Sequence, residues 1–250
     1  MYDLFDKEPI RMINEYTIYG ERHSGTNFMQ SSMRSFFPAV SFNERYGGKH
    51  WLGFCDEEYL RFSNHLFLCC TRNPYDWILS FYAYPHCIPI RNLQSLEDFM
   101  FNEWISYDDP PDYKLPYPWS YNDLLKARSI DTREILYDWN FETLNSGFRR
   151  FCNIFELRKV KLRYLFNLRD IVKSYELIKY EDMLTSRNSI MKKLENKYSL
   201  DPINGEAIHV PIDKNKKEYT MTKRVREMIN NNIDWDVENT CGYFIKEYST

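Results

Sequence analysis

The chain has no long apolar run. Nowhere in its 250 residues does a segment approach the roughly 20 consecutive apolar residues that a membrane-spanning helix needs. Met1 to Ile10 is mildly acidic and carries no apolar core, so a secretory signal is not expected. Paired cysteine motifs are missing too. Cys55, Cys69, Cys70, Cys87, Cys152 and Cys241 form no CxxC, and no Cys/His spacing matches a zinc site. Cys69 and Cys70 sit inside an apolar stretch and read as buried free thiols in a reducing compartment. The formal net charge is −3, which excludes a global field that would recruit nucleic acid. Any anion site must therefore be a local cluster of basic residues. These absences, with no internal repeat and no low-complexity tract, lead to the expectation of a soluble, cytoplasmic protein with neither membrane nor nucleic-acid partner. They leave the oligomeric state open. A hydrophobic content of 43% with 17% aromatics is enough for a sizeable core.

One further absence is more informative. Gly20-Glu21-Arg22-His23-Ser24-Gly25-Thr26-Asn27 has the frame of a phosphate-binding loop, two glycines separated by four residues. The Lys that normally follows the second Gly is missing and Thr26 stands there; Asn27 stands where a Ser or Thr would hold Mg²⁺. The frame suits a phosphate group and not metal-dependent ATP chemistry. A β-favouring run, Glu15 to Tyr19, precedes it. A helical pattern with Met29, Met33, Phe36 and Phe37 on one face follows, stopped by Pro38. In such a loop the backbone N–H groups turn inward and the helix contributes its positive dipole end. Gly20 and Gly25 permit the tight turn. Ser24, Thr26 and Asn27 can donate hydrogen bonds, and Arg22 and His23 bring positive charge. A chance strand-to-helix turn is the alternative reading of this frame alone.

His65 to Thr71 is a nearly continuous apolar run, as expected for a strand covered on both faces of a parallel sheet. It ends at Arg72-Asn73-Pro74-Tyr75-Asp76, and a helix is expected over Tyr75 to Tyr84. Ligands of open α/β sheets bind at the carboxyl ends of strands. Arg72 offers a bidentate fork for a phosphate, and Ser80 in the following helix can donate to the same group. Alternatively Arg72 is a salt-bridge partner and Ser80 a buried helix residue. Ser95 to Asp98 resembles a capping box. A helix is expected over Phe141 to Leu157, a strand over Tyr175 to Tyr180, and helices over Asp182 to Tyr198 and Thr222 to Ile233. The Pro- and aromatic-rich span 85–140 reads as an irregular insertion or lid. Alternating strands and helices predict an α/β domain covering 1–250, with a central parallel sheet flanked by helices in three layers.

The motifs together resemble the P-loop sulfotransferase family, which uses 3′-phosphoadenosine 5′-phosphosulfate (PAPS). Ser24-Gly25-Thr26 matches that family's metal-free phosphate loop. Arg72, Asn73, Pro74, Asp76 and Ser80 match its Arg-Asn-Pro-x-Asp pattern, with the Ser eight positions after the Arg. Tyr180-Glu181-Asp182 resembles its Tyr-Glu-Asp segment, and Asp234 to Glu238 with Gly242-Tyr243 loosely resembles its C-termini. The resemblance implies a three-layer P-loop-type fold and sulfuryl transfer from PAPS, without a metal, to a hydroxyl or amine of a small-molecule or glycan acceptor. It implies that Gly20 to Asn27 bind the 5′-phosphosulfate, that Arg72 and Ser80 bind the 3′-phosphate, and that Tyr180 belongs to the nucleotide site. His50 matches the His that serves as base, with Lys49 beside it to stabilise sulfuryl or leaving-group charge. A solvated loop is the alternative for Lys49-His50. The chain departs from the family in lacking a loop Lys ahead of Ser-Gly-Thr, so Arg22, His23 and Lys49 stay open as leaving-group stabilisers. The late Arg-Lys-Gly motif is absent; Lys214, Lys216 and Lys217 either replace it or form a solvated charge run. Trp104, Tyr113, Tyr117 and Trp119 are candidates for stacking on the acceptor or for core packing. Two rival readings remain, an inactive nucleotide-binding protein that keeps the pocket and a P-loop kinase.

Overall fold

The computed structural model describes residues 12–46, 49–50, 64–85, 88–104, 135–140, 145–203 and 219–246, with 135–140 and 145–150 described by backbone only. Four parallel strands form the sheet: β1 (Glu15–Gly20), β2 (Ser41–Phe42), β3 (His65–Thr71) and β6 (Tyr175–Lys179), in the order β2-β1-β3-β6. All seven residues of β3 are buried, as the unbroken apolar run requires of a strand covered on both faces. Side chains alternate across a strand. Tyr16 and Ile18 of β1 and Leu66, Leu68 and Cys70 of β3 therefore face one layer; Tyr19, Phe67 and Cys69 face the other.

The first layer holds α1 (Thr26–Phe36) and α5 (Tyr180–Tyr198), whose Met29, Met33, Met183, Met191 and Leu194 pack on the sheet. The opposite layer holds α4 (Ile154–Asn167), through Leu162 and Leu165, and α7 (Trp235–Thr240), through Val237. The expected α/β architecture, a parallel sheet with helices on both faces, is thus observed. A third cluster joins α2 (Pro74–Ala83), α3 (Leu96–Phe101), the start of α4 and α6 (Lys223–Asn232) around Trp77, Phe81, Phe99, Trp104, Ile154 and Ile229. Phe81 anchors it, with Phe99 and Trp104 set edge-on at ring-centroid distances of 5.4 Å each. Trp104 is fully buried there and is core. Residues 88–104, read from sequence as part of a lid, pack into this cluster through Ile88, Phe99, Met100 and Trp104. Tyr113, Tyr117, Trp119, Lys214, Lys216 and Lys217 lie outside the described residues.

The helix expected over Phe141 to Leu157 is corrected. Asn145–Arg150 is a strand, β5, paired antiparallel with β4 (Ile135–Asn140) in the register Ile135↔Arg150 to Asn140↔Asn145. Asn145, Ser146 and Gly147 are poor helix formers. The helix begins at Ile154 because the cap is there: Asn153 Oδ1 accepts from Glu156 N at 2.9 Å, and Glu156 Oε2 accepts from Cys152 N at 2.7 Å. The apolar periodicity was real, but it started in a strand and ran on to Asn167. Ser95 caps α3 as expected, accepting from Asp98 N at 3.0 Å.

His65 opens β3 with 1% exposure. Thr17 Oγ1 donates to Asn43 O and must therefore accept from His65 Nε2, 2.7 Å away. The neutral ring carries its proton on Nε2. Burial pushes the imidazole down to about 4, with Arg45 adding to the shift and Glu15 opposing it. The unfolded chain takes up this proton near pH 6.5, so stability is whole above that pH and falls as the pH drops toward 4. The full shift corresponds to about 3 kcal/mol. Urea-unfolding midpoints of the parent and His65→Gln should accordingly converge as the pH falls from 6.5 to 4; parallel curves across that window would contradict the buried neutral imidazole.

Candidate anion-binding site

The sheet register sets three chain segments side by side. Gly20 pairs with Cys70, and Thr71 pairs with Lys179. Glu21, Arg72 and Tyr180 therefore leave the sheet at one edge, the carboxyl end of β1, β3 and β6. From the β1/β3 pair the chain moves outward to β2 on one side and to β6 on the other. The crevice between these two strands is the switch point at which open α/β sheets bind ligands.

The glycine loop is held from several sides. Gly20 N donates to Lys49 O at 2.9 Å, and Gly20 O lies 2.8 Å from His50 Nδ1. A carbonyl only accepts, so Nδ1 carries the proton and the neutral His50 ring has its lone pair on Nε2. A Cβ on Gly20 would lie 2.5 Å from Ser24 Oγ and 2.7 Å from Cys70 O, so no other residue fits without displacing the loop from β3. Ser24 closes the turn, its N and Oγ both donating to Glu21 O, at 3.1 and 2.7 Å. Its hydroxyl is spent inside the loop. His23 has φ 63° and Gly25 φ 92°, two departures into left-handed backbone that flank Ser24. A Cβ on Gly25 would collide with Tyr180 Cδ2, so the ring of Tyr180 lies on the glycine. Thr26 then starts α1, where the first-turn N–H groups have no intrahelical acceptor.

The basic residues separate by position. Arg22 is 9% exposed, and its carbonyl accepts from Trp77 Nε1 at 2.7 Å. His23 stacks on Phe81 at 4.9 Å, and its carbonyl accepts from Arg72 at 3.2 Å. Lys49 Nζ donates to Asn27 Oδ1 at 2.7 Å, which puts an ammonium at the first turn of α1. Arg72 lays its guanidinium over the ring of Tyr180, 4.7 Å from the centroid. Among the described residues, its Nε is buried without a hydrogen-bond partner, and so is Ser80 Oγ on α2. Buried donors left unsatisfied are costly, and an anion supplies acceptors for both. Asn73 caps α2 by accepting from Tyr75 N at 3.0 Å, and its N–H donates to Glu181 Oε1 at 2.9 Å.

Glu21 does not present its carboxylate to a ligand. It is 1% exposed and binds Arg158 at 2.7 Å, so any contact it makes with an anion comes from its backbone. Arg158 of α4 was missed by sequence reasoning. Its Nε and one terminal nitrogen bind Glu238 at 2.5 and 2.8 Å, that same terminal nitrogen donates to Arg72 O at 2.8 Å, and its guanidinium lies 4.6 Å from the Trp77 ring centroid. Burial works against the charge, but Glu21 and Glu238 outweigh it and raise the pKa. A signal did exist: Arg158 falls on the apolar face carrying Phe151, Phe155 and Leu162, where a cation needs carboxylates.

No family model, curated protein or solved structure matches the chain. Among the described residues, no group of three or more His, Cys, Asp or Glu could hold a metal ion, and no helix is long and apolar enough to cross a membrane.

Removing Arg158 strands two buried carboxylates, the kind of loss that costs about 3–5 kcal/mol. Arg158→Leu should lower the unfolding free energy by that amount in urea titrations, and a loss below about 1 kcal/mol would contradict the triad.

Proposed function

We propose that the chain transfers a sulfuryl group from PAPS to a hydroxyl or amine of a small-molecule or glycan acceptor. The observation that carries the reading is the pair of buried donors without partners, Arg72 Nε and Ser80 Oγ, on the segment that leaves the sheet beside the glycine loop. A ligand anionic at two points suits that arrangement better than a single phosphate does. The first-turn amides of α1 and the loop backbone hold the 5′ anion; Arg72 and Ser80 hold the 3′-phosphate. Tyr180 backs the Arg72 guanidinium and keeps it flat against the site.

When bound, PAPS supplies an activated sulfuryl group on a phosphate leaving group. His50, held at the loop by its Nδ1 contact with Gly20 O, takes the acceptor's proton. Lys49, tied to Asn27, brings positive charge to the end of the loop where charge accumulates on the leaving oxygens. Arg22 and His23 are less suited to that role, since one is buried and the other lies on Phe81. A kinase needs a Lys and a Ser or Thr where Thr26 and Asn27 stand.

In thermal-shift assays, 3′-phosphoadenosine 5′-phosphate should stabilise the protein more than ADP or ATP, equally with Mg²⁺ and with EDTA. Arg72→Ala should abolish that preference. Stabilisation by ATP and Mg²⁺ together with ATP turnover would overturn the reading. With PAPS and an acceptor panel, His50→Ala should slow sulfation by about 10²–10⁴-fold. A protein that binds the nucleotide and sulfates nothing is a binding protein, not an enzyme.

A further inference from the structure

We infer that Arg158 is a positioning residue that sets the distance between the two anion-binding elements, and so selects a nucleotide phosphorylated at both its 3′ and 5′ positions. The inference rests on the function proposed above and concerns a residue that the motifs do not contain.

Arg158 lies beneath the crevice, and its contacts divide between the two elements. One terminal nitrogen holds Glu21, the second residue of the glycine loop, at 2.7 Å. The other holds the carbonyl of Arg72, the residue offered to the second anion, at 2.8 Å. A guanidinium is planar and rigid, so the separation of its two terminal nitrogens is fixed, and so is the offset between the groups they hold. Glu238 grips the remaining edge through both its oxygens and stops the plane from rotating. Trp77 covers one face at 4.6 Å while its own Nε1 donates to Arg22 O, fastening α2 to the loop a second time. Lys offers no such fork.

The chemical consequence is a ruler. Two anion subsites held at a fixed offset act together on one ligand that carries both phosphates, because binding the first raises the effective concentration of the second. A ligand with one phosphate gains nothing from the offset. Loosening the ruler should therefore weaken a doubly phosphorylated nucleotide and leave singly phosphorylated ones nearly unchanged. Partial unfolding would weaken all of them alike.

The test is calorimetric titration of the parent, Arg158→Lys and Glu238→Gln with three probes: 3′-phosphoadenosine 5′-phosphate, 5′-AMP and 3′-AMP. Glu238→Gln keeps Arg158 paired with Glu21, so it serves if Arg158→Lys does not fold. The expected result is a drop of about tenfold or more in the affinity ratio of the doubly to the singly phosphorylated nucleotides, with both mononucleotides within about threefold of the parent. An unchanged ratio in a folded variant, or an equal loss for all three probes, overturns the ruler and leaves the nucleotide reading standing. If the parent itself shows no preference for the doubly phosphorylated nucleotide, the functional reading fails and the ruler with it.

Discussion

A guanidinium 1% exposed to water has to find its counter-charges inside the protein, and where Arg158 finds them ties together the chain segments at the carboxyl end of the sheet. Glu21 comes from the loop after β1, Glu238 from the last helix, and the Arg72 carbonyl from the end of β3. These groups lie far apart in sequence and meet at one side chain. Both carboxylates bind the one guanidinium, Glu21 through Nη1 and Glu238 through Nε and Nη2. The loop's own carboxylate is thereby removed from the surface where an anion would sit. The tie also explains why an acidic residue can stand second in a loop of this frame.

Around that anchor, the upper surface is arranged by close approach. Gly20 admits the β3 backbone and Ser24; Gly25 admits the ring of Tyr180. Tyr180 in turn supports Arg72, whose terminal nitrogen reaches the His23 carbonyl. Lys49 and His50 close the other side by bonding both polar groups of Gly20 and the side chain of Asn27. The hydrogen bonds among these contacts each consume a donor and an acceptor. Against that background, Arg72 Nε and Ser80 Oγ are buried donors with no partner among the described residues.

Much of the fold was legible because its signals are local. The unbroken run His65 to Thr71 announced a strand buried on both faces, and the Met29/Met33 stripe with Pro38 announced α1 and its end. The backbone order of strand, glycine loop and helix was also legible. What failed was a stretch whose period was ambiguous. Phe148, Phe151 and Phe155 share a helical spacing, yet pairing with β4 claims the first and the Asn153 cap excludes all residues before Ile154. Within the site, residue types in motifs could be read, but their directions could not. Glu21 sits inside the loop frame and faces inward, whereas Lys49 sits outside it and reaches back to Asn27. Arg158 belonged to no motif, and only its place on an apolar helix face marked it.

The most direct test of the proposed two-anion site is a crystal structure with 3′-phosphoadenosine 5′-phosphate bound in the presence of EDTA. The account predicts the 5′-phosphate on the backbone amides at the start of α1, and the 3′-phosphate accepting from Arg72 Nε and Ser80 Oγ. A nucleotide bound elsewhere, or one whose 3′-phosphate leaves both donors as they are in the free protein, would contradict it.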